Sequence, residues 1–156
     1  MLKVLAAALL IAGQSSLPMV TIPAPRAAMH LWVASSLRSL ELGLMDRTHL
    51  DPAQGMLFVF WHNKERYFWM KDTLMPLDMV FVERNGLVRA VFSRVPILPP
   101  GIPNNEIPLI HARAQYVIEL GAGETRRIGI VAGEKLAIPK NLFQCFIPTF
   151  LCGTQP

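Results

Sequence analysis

The chain has 156 residues, a hydrophobic share of 52% and a formal net charge of +4. That length suits one domain, which can bury roughly two thirds of its unfolded surface without needing a metal or a disulfide to fold. Basic residues are scattered (Arg38, Arg47, Lys64, Arg66, Lys71, Arg84, Arg89, Arg94), with one adjacent pair at Arg126-Arg127. Nucleic-acid binding, which needs a concentrated stripe of Lys and Arg to neutralise phosphates, is therefore not expected.

Met1, Leu2 and Lys3 make a short positive start. Val4 to Ala12 is an unbroken apolar run, followed by Gly13, Gln14, Ser15 and Ser16. This charged, apolar, then small-residue plan is that of a secretory signal. The run is about 9 residues long, against about 20 for a bilayer-spanning helix. Residues 1–16 are read as a signal peptide of a periplasmic or extracellular protein, the alternative being an uncleaved N-terminal anchor. No stable membrane span is expected once it is removed, and the absence of Cys here excludes a lipoprotein anchor. Residues 17–30, with prolines at 18, 23 and 25, read as a flexible tether.

A single β-rich domain is expected over residues 31–138. Leu31 to Ala34 is a strand candidate. Ser35 and Ser36 offer N-caps to a helix whose Leu37, Leu40 and Leu44 recur at helical spacing. Asp51-Pro52 marks a turn. Met56 to Trp61 and Tyr67 to Lys71 read as the arms of a hairpin around the polar turn His62-Asn63-Lys64-Glu65. Asp78 to Glu83 and Leu87 to Phe92 flank Asn85-Gly86, the pair that favours a type I′ turn. Ser93 to Arg113 holds prolines at 96, 99, 100, 103 and 108 and reads as a long loop. Ala114 to Leu120 is a strand, Glu124 to Ile128 a short helix ended by Gly129, and Lys135 to Ile138 a last strand. This pattern predicts a mainly β (β-rich α+β) fold, an antiparallel sheet curled into a small barrel or sandwich, with two short helices. Residues 139–156 form an apolar C-terminal tail. Its Cys145 and Cys152 are a candidate disulfide that would add roughly 2.5 kcal/mol in the chain-entropy model, the alternative being two free buried thiols.

The stretches LGLMDRTHLDPAQGMLFVF (Leu42 to Phe60) and FWMKDTLMPLDMVFV (Phe68 to Val82) resemble a family of small bacterial and archaeal proteins known as domain of unknown function 192. The pattern is carried by Gly43-Leu44-Met45 with Arg47, Gly55-Met56-Leu57-Phe58, Phe68 to Thr73, and Pro76-Leu77-Asp78. It continues in Tyr116 to Glu119, Gly129-Ile130 and Gly133-Glu134. The resemblance implies a compact β-rich fold and, for many members, an export signal; it implies no activity. Two departures stand out. Asp72 occupies a position where Asn is usual, and Pro108-Leu109-Ile110-His111 replaces a Pro-Ser-Gly-Gly run.

Trp69, Lys71, Asp72, Thr73 and Asp78 form the most suggestive polar group. On a strand, Trp69, Lys71 and Thr73 share a face. Asp78 opens a strand apolar on both faces, where a carboxylate is at risk of burial and needs a partner, for which Lys71 is the candidate. The competing structural reading is that Asp78 caps the turn Leu74 to Leu77 and that Trp69 and Met70 are core. His111, in the loop before a strand, is a candidate ligand-binding or acid/base group. The four histidines show no metal-ligand spacing, and neither a nucleophile motif nor a cofactor-binding motif occurs, so no metal, cofactor or catalytic residue is assigned. The favoured expectation is a ligand-binding module of the cell envelope, taking a small molecule, glycan or peptide. An interaction or assembly factor is the alternative, and an acid/base enzyme using Asp78 and Lys71 a third.

Overall fold

The computed structural model describes residues 17–140 and 142. The proposed signal peptide and the pair Cys145 and Cys152 lie outside these residues. Six strands, β1 (Met19–Pro23), β2 (Ala28–Ala34), β3 (Gln54–Phe68), β4 (Leu77–Val82), β5 (Val88–Val95) and β6 (Ile110–Gly121), form one sheet in the order β1-β2-β3-β6-β4-β5. Two short helices, α1 (Leu37–Leu42) and α2 (Glu124–Ile128), complete the expected mainly β fold. The sheet is open, not closed into a barrel, and it is mixed. β2 and β3 run parallel, and a parallel pair requires a crossover, which α1 supplies.

The expected tether is folded. Residues 19–23 pair in register with 28–32, Met19 opposite Trp32 and Pro23 opposite Ala28, and Ile22 and Met29 are fully buried. Prolines there suggested flexibility, but an edge strand tolerates a residue without an amide donor. The expected hairpin at His62 to Glu65 is absent. β3 runs straight through it as one 15-residue strand, with a register shift against β6 between Val59 and Lys64. That tetrapeptide holds no residue at positive φ, and a bulge suffices to bend the strand. The Asn85-Gly86 hairpin is present. Only Gly86 has positive φ (87°), and its amide donates to Glu83 O at 2.9 Å, so the turn is not type I′. The last expected strand shrinks to a single bridge between Leu87 and Lys135.

Helix α1 begins where the serines placed it. Ser36 and Ser39 cap each other's backbone amides reciprocally. Helix α2 ends at Gly129 in the left-handed conformation (φ 85°). All five prolines of the long loop fall between β5 and β6.

Both faces of the sheet are covered. Leu57, Val59, Val80, Val82, Ile118 and Leu120 point into one apolar layer, closed by Ile128, Ile130 and Leu136. Met56, Phe58, Met79, Phe81 and Val117 point into the other, closed by Leu44 and Met70. Side chains alternate along each strand, so Glu119 shares the face of Val117.

Candidate functional site

Glu119 lies on β6, an interior strand between β3 and β4, with Met56 of β3 and Met79 of β4 in register beside it. Its side chain enters the Phe- and Met-rich layer and is only 5% exposed. Burial alone, with no hydrogen-bond or charge partner set against it, pushes the carboxyl up to about 8. At neutral pH it mostly carries its proton.

Above this carboxyl is a cleft of about 40 Å³, close to the space of one water or one functional group. Gly43, Leu44 and Met45, which follow α1, form one wall, and Phe58 and Phe68 of β3 form another. Trp69, Lys71 and Thr73, from the segment after β3, make the rim. Gly43 permits the approach: its φ is +48°, and a Cβ there would begin 3.1 Å from the Phe58 ring and 3.9 Å from Glu119 Oε2. Trp69 is 42% exposed, and Lys71 Nζ stands 5.6 Å from its ring centroid.

The two motif segments that frame the cleft are tied to each other. Asp46 N donates to Asp72 O at 3.0 Å, and both residues have positive φ (60° and 51°). Asn and Asp are the non-glycine residues that best tolerate this conformation, so Asp72 keeps the backbone that Asn would adopt. Thr73 N donates to Met70 O at 3.2 Å, closing the turn.

The sequence-predicted residues therefore separate. Trp69, Lys71 and Thr73 meet at the rim, although β3 ends at Phe68 and they lie on a turn segment, not a strand. Asp72 is exposed and contributes backbone. Asp78 does not engage Lys71. It is fully buried and accepts from Arg94 N (2.7 Å), Gly123 N (3.0 Å), Thr125 N (2.9 Å) and the Thr125 hydroxyl (2.6 Å). Nor does it cap its own turn; its partners are distant in sequence and belong to the end of β5 and the start of α2. His111 is exposed, with Nδ1 2.8 Å from Glu65 Oε1 and its ring stacked on Tyr67; it does not line the cleft. Glu119 is the residue that sequence reasoning missed. The argument applied to Asp78, a carboxylate inside an apolar strand, points equally to Val117-Ile118-Glu119-Leu120.

An open six-stranded sheet with a buried carboxyl facing a cleft on one covered layer defines a small single-sheet module. The chain belongs to the DUF192 family, described as an uncharacterized ACR, whose model matches residues 20–138. It is similar to a solved structure from Sinorhizobium meliloti described as a candidate transcription regulator, at 28% identity and a TM-score of 0.70, over 80% of this chain and 96% of that one. It is also similar to a protein of unknown function from Novosphingobium aromaticivorans, at 25% identity and a TM-score of 0.67, over 81% and 89% of the two chains. Among curated proteins, none matches. Of the segments that carry the family resemblance, Gly43-Leu44-Met45, the one that holds Phe58, Phe68 to Thr73 and the one that ends at Glu119 reach this cleft, whereas Pro76-Leu77-Asp78, Gly129-Ile130 and Gly133-Glu134 do not.

Proposed function

We propose that the protein is an exported ligand-binding module of the cell envelope that grips a polar group of its ligand over Glu119. One observation carries the reading: a carboxyl buried in an apolar layer, without a partner among the described residues, at the floor of a cleft. Burying such a group unpaired is costly, and a ligand hydroxyl, amide or amine reaching it would recover that cost. The cleft takes a functional group, not a whole molecule, so the body of the ligand lies across Trp69, whose ring offers a stacking face. Lys71 adds a positive charge at the rim. Glycan and short peptide fragments of the envelope suit this combination. Export is supported by the charged, apolar and small-residue plan of residues 1–16, which ends just before the sheet begins at Met19.

Titration with soluble glycan and peptide fragments released from envelope preparations, followed by Trp fluorescence and amide chemical shifts, tests the reading. Binding should be lost in Trp69→Ala and Glu119→Gln. If folded Trp69→Ala and Lys71→Ala proteins kept every binding profile unchanged, the idea would fail.

A second reading, acid/base catalysis, rests on Glu119, because a carboxyl pushed up to about 8 gives and takes a proton near neutral pH. The Asp78–Lys71 pair has no geometry behind it. An interaction role through the apolar tail concerns residues outside those described. The description of the Sinorhizobium neighbour as a transcription regulator brings DNA binding into view. The five- and six-residue helices here offer little to place in a major groove.

A further inference from the structure

Another groove lies on the opposite layer and holds about 670 Å³, within the range of small-molecule sites. Its floor is apolar: Val91 of β5 and Ile130, both packed against the layer that Glu119 does not enter, with Val131 60% exposed at the edge. Arg26 and Arg126 line it. Arg26 reaches across from the β1–β2 turn, Nη1 donating to Arg126 O at 3.3 Å. Its Nε lies 3.4 Å from the point where a Cβ on Gly129 would begin, so a glycine there clears its path. Arg94 follows Ser93, a residue of the groove wall, and its guanidinium lies against Gly123 at the start of α2.

The charges are not balanced within the fold. Next door, Arg127 is neutralised by Glu124 through two contacts of 2.7 Å. Arg26, Arg94 and Arg126 have no carboxylate partner among the described residues. The wall is also rigidly set, because the buried Asp78 carboxylate binds the amides of Arg94, Gly123 and Thr125 and so fixes the end of β5 against α2. Two arginines without a carboxylate partner, lining a groove beside an apolar floor, match a ligand with an oxyanion head and an apolar body.

We infer that this groove is a second binding site, for a small organic anion whose phosphate or carboxylate lies between Arg26 and Arg126 and whose apolar part lies on Val91, Ile130 and Val131. The site is independent of the Glu119 cleft and stands or falls separately from it. A phospholipid headgroup and a free organic phosphate share this chemistry.

The test is an amide chemical-shift titration of the folded protein with hexyl phosphate, then inorganic phosphate, then sedimentation with phosphatidylglycerol or phosphatidylcholine vesicles. Hexyl phosphate should move the amides of Val91, Arg126 and Gly129 to Ala132 and leave Gly43 and Lys71 in place. It should bind more tightly than inorganic phosphate. Arg26→Glu with Arg126→Glu should weaken it by about tenfold or more, while Arg38→Glu on α1 should not. If the double variant does not fold, Arg126→Gln, at an exposed helical position, should still weaken it by about threefold. Vesicle binding with the same variant dependence assigns the ligand to phosphatidylglycerol-like lipid; hexyl phosphate binding without vesicle binding assigns it to a free organic anion. Absence of any shift, a shift indifferent to the arginine substitutions, or equal affinity for inorganic and hexyl phosphate would overturn the proposal.

Discussion

Thr125 gives both of its polar hydrogens to Asp78: the hydroxyl at 2.6 Å and the amide at 2.9 Å converge on the same oxygen, Oδ2, while Oδ1 takes the amides of Arg94 and Gly123. The carboxylate thereby joins β4 to the end of β5 and the start of α2 inside the fold. A charge this deep is tolerated because its lone pairs meet aligned donors.

Removing that carboxylate should be among the most damaging single changes in the protein. Asp78→Ala removes the acceptor of the Arg94, Gly123 and Thr125 amides and of the Thr125 hydroxyl, the last two of them buried, and a loss of roughly 3–5 kcal/mol is expected. Thr125→Val removes one charge-assisted bond and should cost roughly 1.5–3 kcal/mol. Urea denaturation of both variants checks the order; an Asp78→Ala protein as stable as the parent would show the network to be unimportant.

Glu119 makes stability depend on pH in the direction opposite to an ion-paired carboxylate. Its folded value, about 8, lies above the ordinary 4.5, so between those values the folded protein holds a proton that the unfolded chain releases. The contribution of Glu119 is greatest below about pH 4.5, falls by up to about 1.4 kcal/mol per pH unit as pH rises toward 8, and levels above it. Lys71 and Glu41 are the other titratable residues that line the cleft. Glu119→Gln should flatten this slope and be the more stable protein at pH 8.5. Melting curves across the range decide it; an unchanged slope in the variant would remove Glu119 as its source.

Gly55 tests the close packing beneath the cleft. A Cβ there would lie 2.0 Å from the Glu119 carbonyl oxygen and 2.9 Å from Leu120 Cδ2. Gly55→Ala must therefore push β3 away from β6, and a loss at or above the upper end of the roughly 1–3 kcal/mol typical of overpacking is expected. Thermal unfolding measures it, and a neutral effect would mean that the strands are farther apart than described.

Trp69 and Lys71 should matter for binding far more than for folding. Both sit on the rim, with Trp69 substantially exposed and Lys71 making no salt bridge among the described residues. Trp69→Ala and Lys71→Ala should change stability by about 1 kcal/mol or less while abolishing the fragment binding proposed above. Paired unfolding and titration experiments separate the two effects.

Local chemistry was readable where neighbours in sequence settle it. The Ser36 cap, the hairpin around Gly86, the glycine end of α2 and the proline-filled loop all depend on backbone preferences of a few adjacent residues, and each lies where the residues place it. The composition of the rim was equally legible, because Trp69, Lys71 and Thr73 come from one short segment. Pairing across long separations was not. The same residues 19–23 are a loose proline-containing stretch when read alone and an edge strand when Ala28 to Trp32 lies beside them. Asp78 and Glu119 look alike as carboxylates in apolar strands. One faces the amides of Arg94, Gly123 and Thr125 and becomes a structural joint; the other faces Phe58 and an open cleft and has nothing to bond. Which of them meets donors depends on strand order and on what the chain lays over each face of the sheet, and neither is encoded within a few residues of the carboxylate itself.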